Sequence, residues 1–399
     1  MRLTRSGAPA RIVAVSAAAI ALAACAGVLG IEDRNLDTSG DASTNEGGVG
    51  PEGGTDSASN ADGPGADAPA SDGAGNDGPS GDGGGCADPC TMAMGLNHPF
   101  QMTSDSNNVY WTEFGDDLGS ANGYVKGCPL TGCGSGPKVY ASALTNPRGI
   151  VSDGSNVYWG TATYSVVTGG IWSCPTSGCV GAPHQLATTG VPYGLAVDGT
   201  YVYWANNDDG TVHRVLKAGG GSDIVLYDAG SSLIPEAESC VLDSAFVYLT
   251  DYNGDVFRVP IGGGEPIAMA AGNGGGGWPV AIDSTFLYYG LGGQVVRLTK
   301  TTTDGGVPVA SGIPDPDGLA IDPGTSTIYW SNWGTGTGND GTVGKATTDG
   351  GPASVIGASL VTPEDITVSG SYVFWLSSGV QDDAGLTLPS TGVLMRNAK

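Results

Sequence analysis

The chain has 399 residues, 40 acidic against 15 basic side chains, a formal net charge of −25, and eight cysteines. The charge excludes nucleic acid and anionic lipid headgroups as partners, since both demand a basic footprint. Eight cysteines point to an oxidising compartment.

Residues 1–25 read as an export leader: Arg2, Arg5 and Arg11 form a basic start, Ile12 to Ala21 a short apolar run, and Leu22-Ala23-Ala24-Cys25 follows. That tetrapeptide resembles the bacterial lipobox, which implies that Cys25 is acylated and becomes the mature N-terminus. The apolar run is too short to span a bilayer, so the expected arrangement is a lipid anchor. Ala26 and Gly27 carry no acidic retention signal. By analogy, this assigns the anchor to the outer membrane of a bacterial envelope.

Residues 26–89 change character. Thirteen acidic residues face Arg34 alone, and large apolar residues nearly vanish after Leu36. Such a segment cannot bury enough apolar surface to offset the entropy of ordering, and it is predicted to be a disordered tether. A flexible chain of about 60 residues reaches about 40–45 Å, enough to hold a head clear of a lipid surface.

The head, residues 90–399, retains 27 acidic and 11 basic residues, a net charge of −16. It is organised by a repeat in which a turn residue leads to an aromatic pair or near-pair. Asp105 precedes Tyr110-Trp111, Asp153 precedes Tyr158-Trp159, Asp198 precedes Tyr203-Trp204, and Asp243 precedes Tyr248-Leu249. Asp283 precedes Tyr288-Tyr289, Asp322 precedes Tyr329-Trp330 at two residues' greater distance, and Ser369 precedes Phe374-Trp375. Successive units are 48, 45, 45, 40, 41 and 45 residues apart, the period of a propeller blade. Within the third unit four short strands fall at 194–197, 201–205, 211–216 and 223–227, separated by Gly, Asn and Asp turns. The fold class is therefore all-β, a seven-bladed β-propeller of four-stranded antiparallel blades. The recurring Asp is assigned a backbone role in an Asx turn, and the aromatic pairs the packing between blades. The chain ends after a third-type strand, so Thr91 to Leu96 is expected to supply the fourth strand of the last blade beside Val393 to Arg396.

Cys128-Pro-Leu-Thr-Gly-Cys133 and Cys174-Pro-Thr-Ser-Gly-Cys179 recur at equivalent places in the first two blades, and each is expected to close a disulfide loop. Cys86 and Cys90 are read as a third pair. Zinc knuckles are the rival reading, but four-residue gaps in an exported chain without partner histidines weigh towards disulfides. Cys240 stands where the third unit has Leu195 and is read as a buried apolar substitute.

Tyr110-Trp111-Thr112-Glu113 resembles the YWTD repeat of low-density-lipoprotein-receptor propellers. Pro147-Arg-Gly-Ile-Val-Ser-Asp153 and Pro192-Tyr-Gly-Leu-Ala-Val-Asp198 are similar to NHL-type repeats. With its lipobox and Asp/Gly tether, the whole resembles the exported propeller lipoproteins of soil-dwelling delta-proteobacteria (myxobacteria). It departs from the YWTD family in having seven blades rather than six.

Counting back five residues from each turn residue places Phe100, Arg148, Tyr193, Glu238, Trp278, Asp317 and Glu364 at the mouths of the seven inner strands. Aromatics and carboxylates around one funnel suit a glycan, a cation or a basic protein. The loops after the aromatic pairs add Glu113, Asp116, Asp117, Asp208, Asp209, Asp251, Asp255, Asp340, Asp382 and Asp383 to the same face. Asp251-Tyr-Asn-Gly-Asp255 begins like a calcium loop, but Gly262 stands where a twelve-residue loop needs its Glu. His98, His184 and His213 lack metal-ligand spacing. No metal, cofactor or nucleophile elbow is legible, so the expectation is a monomeric binding module rather than an enzyme. The alternatives are a purely structural envelope protein and an enzyme similar to the propeller lyases of streptogramin antibiotics. In the latter, His98 with Glu238 and Glu364 would imitate a magnesium-assisted site.

Overall fold

The computed structural model describes residues 88–399 apart from 116–119, 164–166, 229–233, 235, 273–278, 304, 336–338 and 380–390. The leader, Cys25, Cys86 and all but the last two residues of the tether lie outside the described residues, as do Trp278, Asp116, Asp117, Asp382 and Asp383. No helix among the described residues is long and apolar enough to cross a membrane.

The described strands form seven four-stranded antiparallel sheets. After β1 (Cys90–Leu96), the first blade comprises β2 (Pro99–Ser104), β3 (Asn108–Glu113), β4 (Gly123–Pro129) and β5 (Lys138–Leu144). The second comprises β6 (Pro147–Ser152), β7 (Asn156–Thr163), β8 (Thr168–Pro175) and β9 (His184–Thr189). The third comprises β10 (Pro192–Val197), β11 (Tyr201–Asn206), β12 (Val212–Leu216) and β13 (Ile224–Tyr227). In the fourth are β14 (Ala237–Leu242), β15 (Phe246–Asp251), β16 (Val256–Pro260) and β17 (Ile267–Ala270). In the fifth are β18 (Val280–Ile282), β19 (Phe286–Leu291), β20 (Gln294–Thr299) and β21 (Val307–Ser311). The sixth holds β22 (Pro316–Asp322), β23 (Thr327–Asn332), β24 (Gly341–Thr347) and β25 (Ser354–Leu360). The seventh holds β26 (Pro363–Ser369), β27 (Tyr372–Ser377), β28 (Gly392–Ala398) and, as its outermost strand, β1.

The aromatic pairs work because neighbouring residues on a strand point to opposite faces of the sheet. The first ring of each pair packs forward on the next blade, and the second packs backward on the preceding one. Tyr158 clusters with Trp204, Tyr203 with Leu249, Tyr248 with Tyr289, Tyr288 with Trp330 and Tyr329 with Trp375. Phe374 of the last blade meets Trp111 of the first, and Tyr110 meets Trp159. Seven interfaces thus share one recipe, and Trp111, Trp159, Trp204 and Trp375 are completely buried.

The five-residue spacing between Asp and Tyr has a two-part cause. In the third blade, Asp198 Oδ1 accepts the amides of Thr200 and Tyr201, while Oδ2 accepts the Tyr203 hydroxyl at 2.7 Å. Asp105, Asp153, Asp243 and Asp283 each cap their turn with Oδ1 and receive the matching Tyr hydroxyl on Oδ2. Burial and the Asp198 carboxylate push the Tyr203 phenol up to about 12. Where the seventh blade has Phe374, no hydroxyl needs an acceptor, and Ser369 replaces the Asp.

Basic side chains stitch the blades together. Arg214 stacks 4.4 Å from the Tyr201 ring and donates to Ile261 O in the next blade. Arg258 on Phe246, Arg297 on Phe286 and Arg396 on Tyr372 repeat the clamp, donating to Lys300 O, Thr348 O and Leu130 O. Gly127 and Ser173 occupy the arginine's place in the two blades that carry the Cys128–Cys133 and Cys174–Cys179 disulfides. In the opposite direction, Lys217, Lys300 and Lys399 reach back to Asp153, Asp243 and Asp322 of the preceding blade.

The ring closes as expected: Cys90, Thr91, Ala93, Met94 and Leu96 lie opposite Arg396, Met395, Leu394, Val393 and Gly392. Side chains also cross the seam on the inner strands. Met102 N donates to Asp365 Oδ2 at 2.8 Å, and Ser104 and Thr367 share a hydroxyl hydrogen bond of 2.9 Å. Cys90 is disulfide-bonded, and Cys240 is a buried free thiol pushed well above its ordinary range by burial.

Candidate functional site

All seven inner strands line one axial channel of about 400 Å³. Their backbones approach closely, which explains the glycine of the Pro-x-Gly lead. A Cβ on Gly149 would lie 2.1 Å from Tyr193 O, and one on Gly194 would lie 2.5 Å from Cys240 N. In the seventh blade Asp365 occupies that position, and Gly318 of the sixth leaves room for it.

The mouth of the channel is stiff. A register shift recurs just inside it, between Pro99 and Met102, Pro147 and Ile150, Pro192 and Leu195, and Pro363 and Ile366. His98, Asn146, Glu236 and Thr362, each just before an inner strand, have φ of 53°, 41°, 50° and 42°. Left-handed backbone at a non-glycine residue costs about 1–2 kcal/mol. Hydrogen bonds hold three of them in place: the carbonyls of His98, Glu236 and Thr362 accept the amides of Phe114, Tyr252 and Ser378.

Of the mouth residues expected from the sequence, Phe100, Glu238, Asp317 and Glu364 line the channel. Arg148 and Tyr193 are buried, at 2% and 4% exposure. The Arg148 guanidinium carbon lies 4.2 Å from the Tyr193 ring centroid, 4.4 Å from that of Phe114 and 4.7 Å from that of Phe100. The rings at this part of the mouth therefore surround a guanidinium of the chain itself. Trp278 lies outside the described residues.

The carboxylates are positioned by donors. Asn207 Nδ2 reaches Glu238 Oε1 at 3.3 Å, and Trp333 Nε1 reaches Glu364 Oε1 at 3.2 Å. Asp365, one step deeper, accepts Met102 N on one oxygen and Ile366 N on the other, each at 2.8 Å. Burial, with the neighbouring Glu364 charge, raises it to about 7 despite those amides. Asp365 is the site residue that the sequence reading missed, and its only signal was an acidic residue standing at the close-packed glycine position.

The loop carboxylates mostly hold backbone. Glu113 is completely buried, ion-paired with Lys126 at 2.8 Å and hydrogen-bonded by Asn97 N and Trp111 Nε1. Asp208 accepts Val191 N, Asp209 accepts Thr211 N, Asp255 accepts Gly272 N, and Asp340 accepts Thr335 N. Asp251 Oδ1 accepts the amides of Asn253 and Asp255, and burial raises this acid to about 6. No group of three or more His, Cys, Asp or Glu side chains among the described residues is placed to hold a metal. His98 packs 5.5 Å from the Phe114 ring, and His213 stacks on Trp204 and contacts Asp223 at 3.0 Å.

No protein-family model matches the chain, and no curated protein does. Among solved structures it is similar to the WD40 β-propeller domain of Doa1, with 11% identity and a TM-score of 0.56, over 78% of this chain and 96% of that one. It also aligns with a chain of a nidogen/laminin complex at 18% identity and a TM-score of 0.40, over 64% of this chain and 82% of that one. A computationally designed protein, Ika8, aligns at 12% identity and a TM-score of 0.47, over 76% and 98%. At these identities the likeness to the Doa1 domain is one of fold alone.

Proposed function

We propose that this chain is a lipid-anchored envelope protein whose propeller binds a cationic partner, such as a basic protein surface, through the acidic mouth of its channel. The observation that carries the reading is the convergence of Glu238, Asp317, Glu364 and Asp365 on one channel, with donors holding Glu238, Glu364 and Asp365 in place. Acceptors fixed in advance lose little freedom on binding. The head's net charge of −16 adds long-range attraction for a cation. Because Phe100 and Tyr193 already surround Arg148, charge rather than stacking on a neutral glycan dominates recognition. Cys25 carries the lipid, the tether spaces the head from the outer membrane, and the reading assigns the propeller no catalytic step.

The test measures binding of the full chain to immobilised basic, neutral and acidic peptides and to neutral glycans at two salt concentrations. Basic peptides are expected to bind, to weaken with salt, and to weaken further with the Glu238→Gln/Glu364→Gln pair. Binding to glycans alone, indifferent to both changes, overturns the reading. Cys25→Ser is expected to abolish incorporation of a labelled fatty acid and release the protein from membranes; unchanged labelling refutes the anchor.

A further inference from the structure

Two residues past the aromatic pair stands a side chain whose polarity differs from blade to blade. Glu113 in the first blade is ion-paired with Lys126. In the third and sixth blades the neutral amides of Asn206 and Asn332 bond neighbouring hydroxyls and, at Asn332 Oδ1, the Asp315 amide. Asp251 holds this position in the fourth blade. It is completely buried, and Phe257 stands where the first blade has Lys126. Asp251 forms no ion pair among the described residues, and its Oδ2 has no hydrogen-bond donor there. An ionised carboxylate buried without a counter-charge is costly, so an orphaned oxygen of this kind points to a cation that the chain does not itself supply.

The rest of the turn suits an ion that prefers oxygen. Asp251 Oδ1 is fixed by the amides of Asn253 and Asp255, and the Asn253 side chain and the Asp255 charge both act on the same carboxylate. Asp255 is steadied through Oδ1 by Gly272 N at 2.6 Å. Asn253 is exposed and Tyr252 is 40% exposed, so the turn opens to solvent. It offers no nitrogen or sulfur ligand of the kind zinc takes, and calcium, unlike magnesium, accepts an irregular set of carboxylate, amide and water oxygens.

We propose that the turn Asp251–Asp255 binds one calcium ion through Asp251 Oδ2, the Asn253 side-chain oxygen and the second Asp255 oxygen, with water completing the shell. Gly262 stands where a twelve-residue calcium loop carries its bidentate Glu, so the affinity is that of a weak extracellular site, a dissociation constant of about 10⁻⁴–10⁻³ M. None of the three ligand residues lines the channel, so the site stands or falls separately from the cationic partner proposed above.

The experiment follows terbium luminescence, sensitised by neighbouring tyrosines, in the chelator-treated full chain, with calcium and magnesium chloride as competitors and the melting temperature read in parallel. One terbium site per chain is expected, displaced by millimolar calcium and about tenfold less readily by magnesium. Calcium should also raise the melting temperature. Asp251→Asn keeps an oxygen for the turn amides and should weaken both terbium and calcium about tenfold or more. Its melting temperature without calcium should stay the same or rise, because an unpaired buried charge is gone. Asp209→Asn, in the loop after the aromatic pair of the third blade, should leave both affinities unchanged. Should Asp251→Asn fail to fold, Asn253→Ala on the exposed turn takes its place and should weaken calcium about threefold or more. Three outcomes overturn the proposal: no saturable site up to about 10 mM calcium, an affinity that the turn variants do not move, or equal losses in Asp209→Asn and Asp251→Asn, which mark a diffuse counterion effect of the acidic head.

Discussion

Replacing Asp153 by Asn separates the charge of a turn aspartate from its capping role. Asp153 Oδ1 accepts the amides of Ser155 and Asn156, which an Asn oxygen also does. Oδ2 accepts the Tyr158 hydroxyl at 2.9 Å and the Lys217 ammonium at 2.8 Å from the next blade; the hydroxyl can turn to accept from an Asn amide, but the ammonium, a donor only, needs the carboxylate. Burial alone would raise this acid; the ammonium, the two amides and the hydroxyl outweigh it and hold it at about 2. Against an ordinary value of 3.8, that difference is worth at most about 2.4 kcal/mol. Solvent screening of the partly exposed pair lowers the figure to about 1–2 kcal/mol, or about 2–3 °C in the melting temperature of a ring this size.

The sign of the pH dependence follows from the depressed value. The contribution is fully present above about pH 4 and is lost as pH falls through about 2, shrinking to about a third near pH 2.5. The assay is thermal or urea unfolding of wild type and Asp153→Asn in parallel between pH 7 and pH 2.5. The two stability curves should converge towards acid. A gap of constant size across that range refutes the assignment of the charge to the folded state.

Three further outcomes follow from the packing. Phe374→Tyr places a buried hydroxyl opposite Ser369 and should destabilise by about 1–3 kcal/mol; adding Ser369→Asp should recover at least about 1 kcal/mol, and strict additivity in the double-mutant cycle would show that the pair does not act together. Gly149→Ala should cost about 3 kcal/mol or more because its Cβ meets Tyr193 O, whereas Gly199→Ala, which meets open space, should be neutral or slightly stabilising; equal melting temperatures for the two contradict the close-approach argument. A chain lacking residues 1–97 loses β1 and exposes the edge of β28, so it should self-associate on a sizing column, and a monomer of unchanged melting temperature would refute the closure.

The repeat, the disulfides at Cys128–Cys133 and Cys174–Cys179, and the closing strand were legible because each is written in residues near one another or in a fixed period. An Asp with its turn amides two and three residues on, or two cysteines flanking a Pro and a Gly, states its geometry locally. Glu238, Asp317 and Glu364 were reached by counting within a blade, and all three line the channel. The arginine clamp was also present, at one position of the third strand, but its partner carbonyl lies in the next blade and no local pattern points there.

The amino-acid order by itself determined the number of blades, the strands within each, the placing of the aromatic pairs between blades and the acidity of the head. Only the tertiary structure decided what the mouth residues do. Arg148 meets Phe100, Phe114 and Tyr193 across three blades, and Asp365 joins Met102 over the seam between the last blade and the first. Strand and turn preferences act over a few residues, whereas cation–π contacts, desolvation and close backbone approach depend on separations that exist only once the ring has closed.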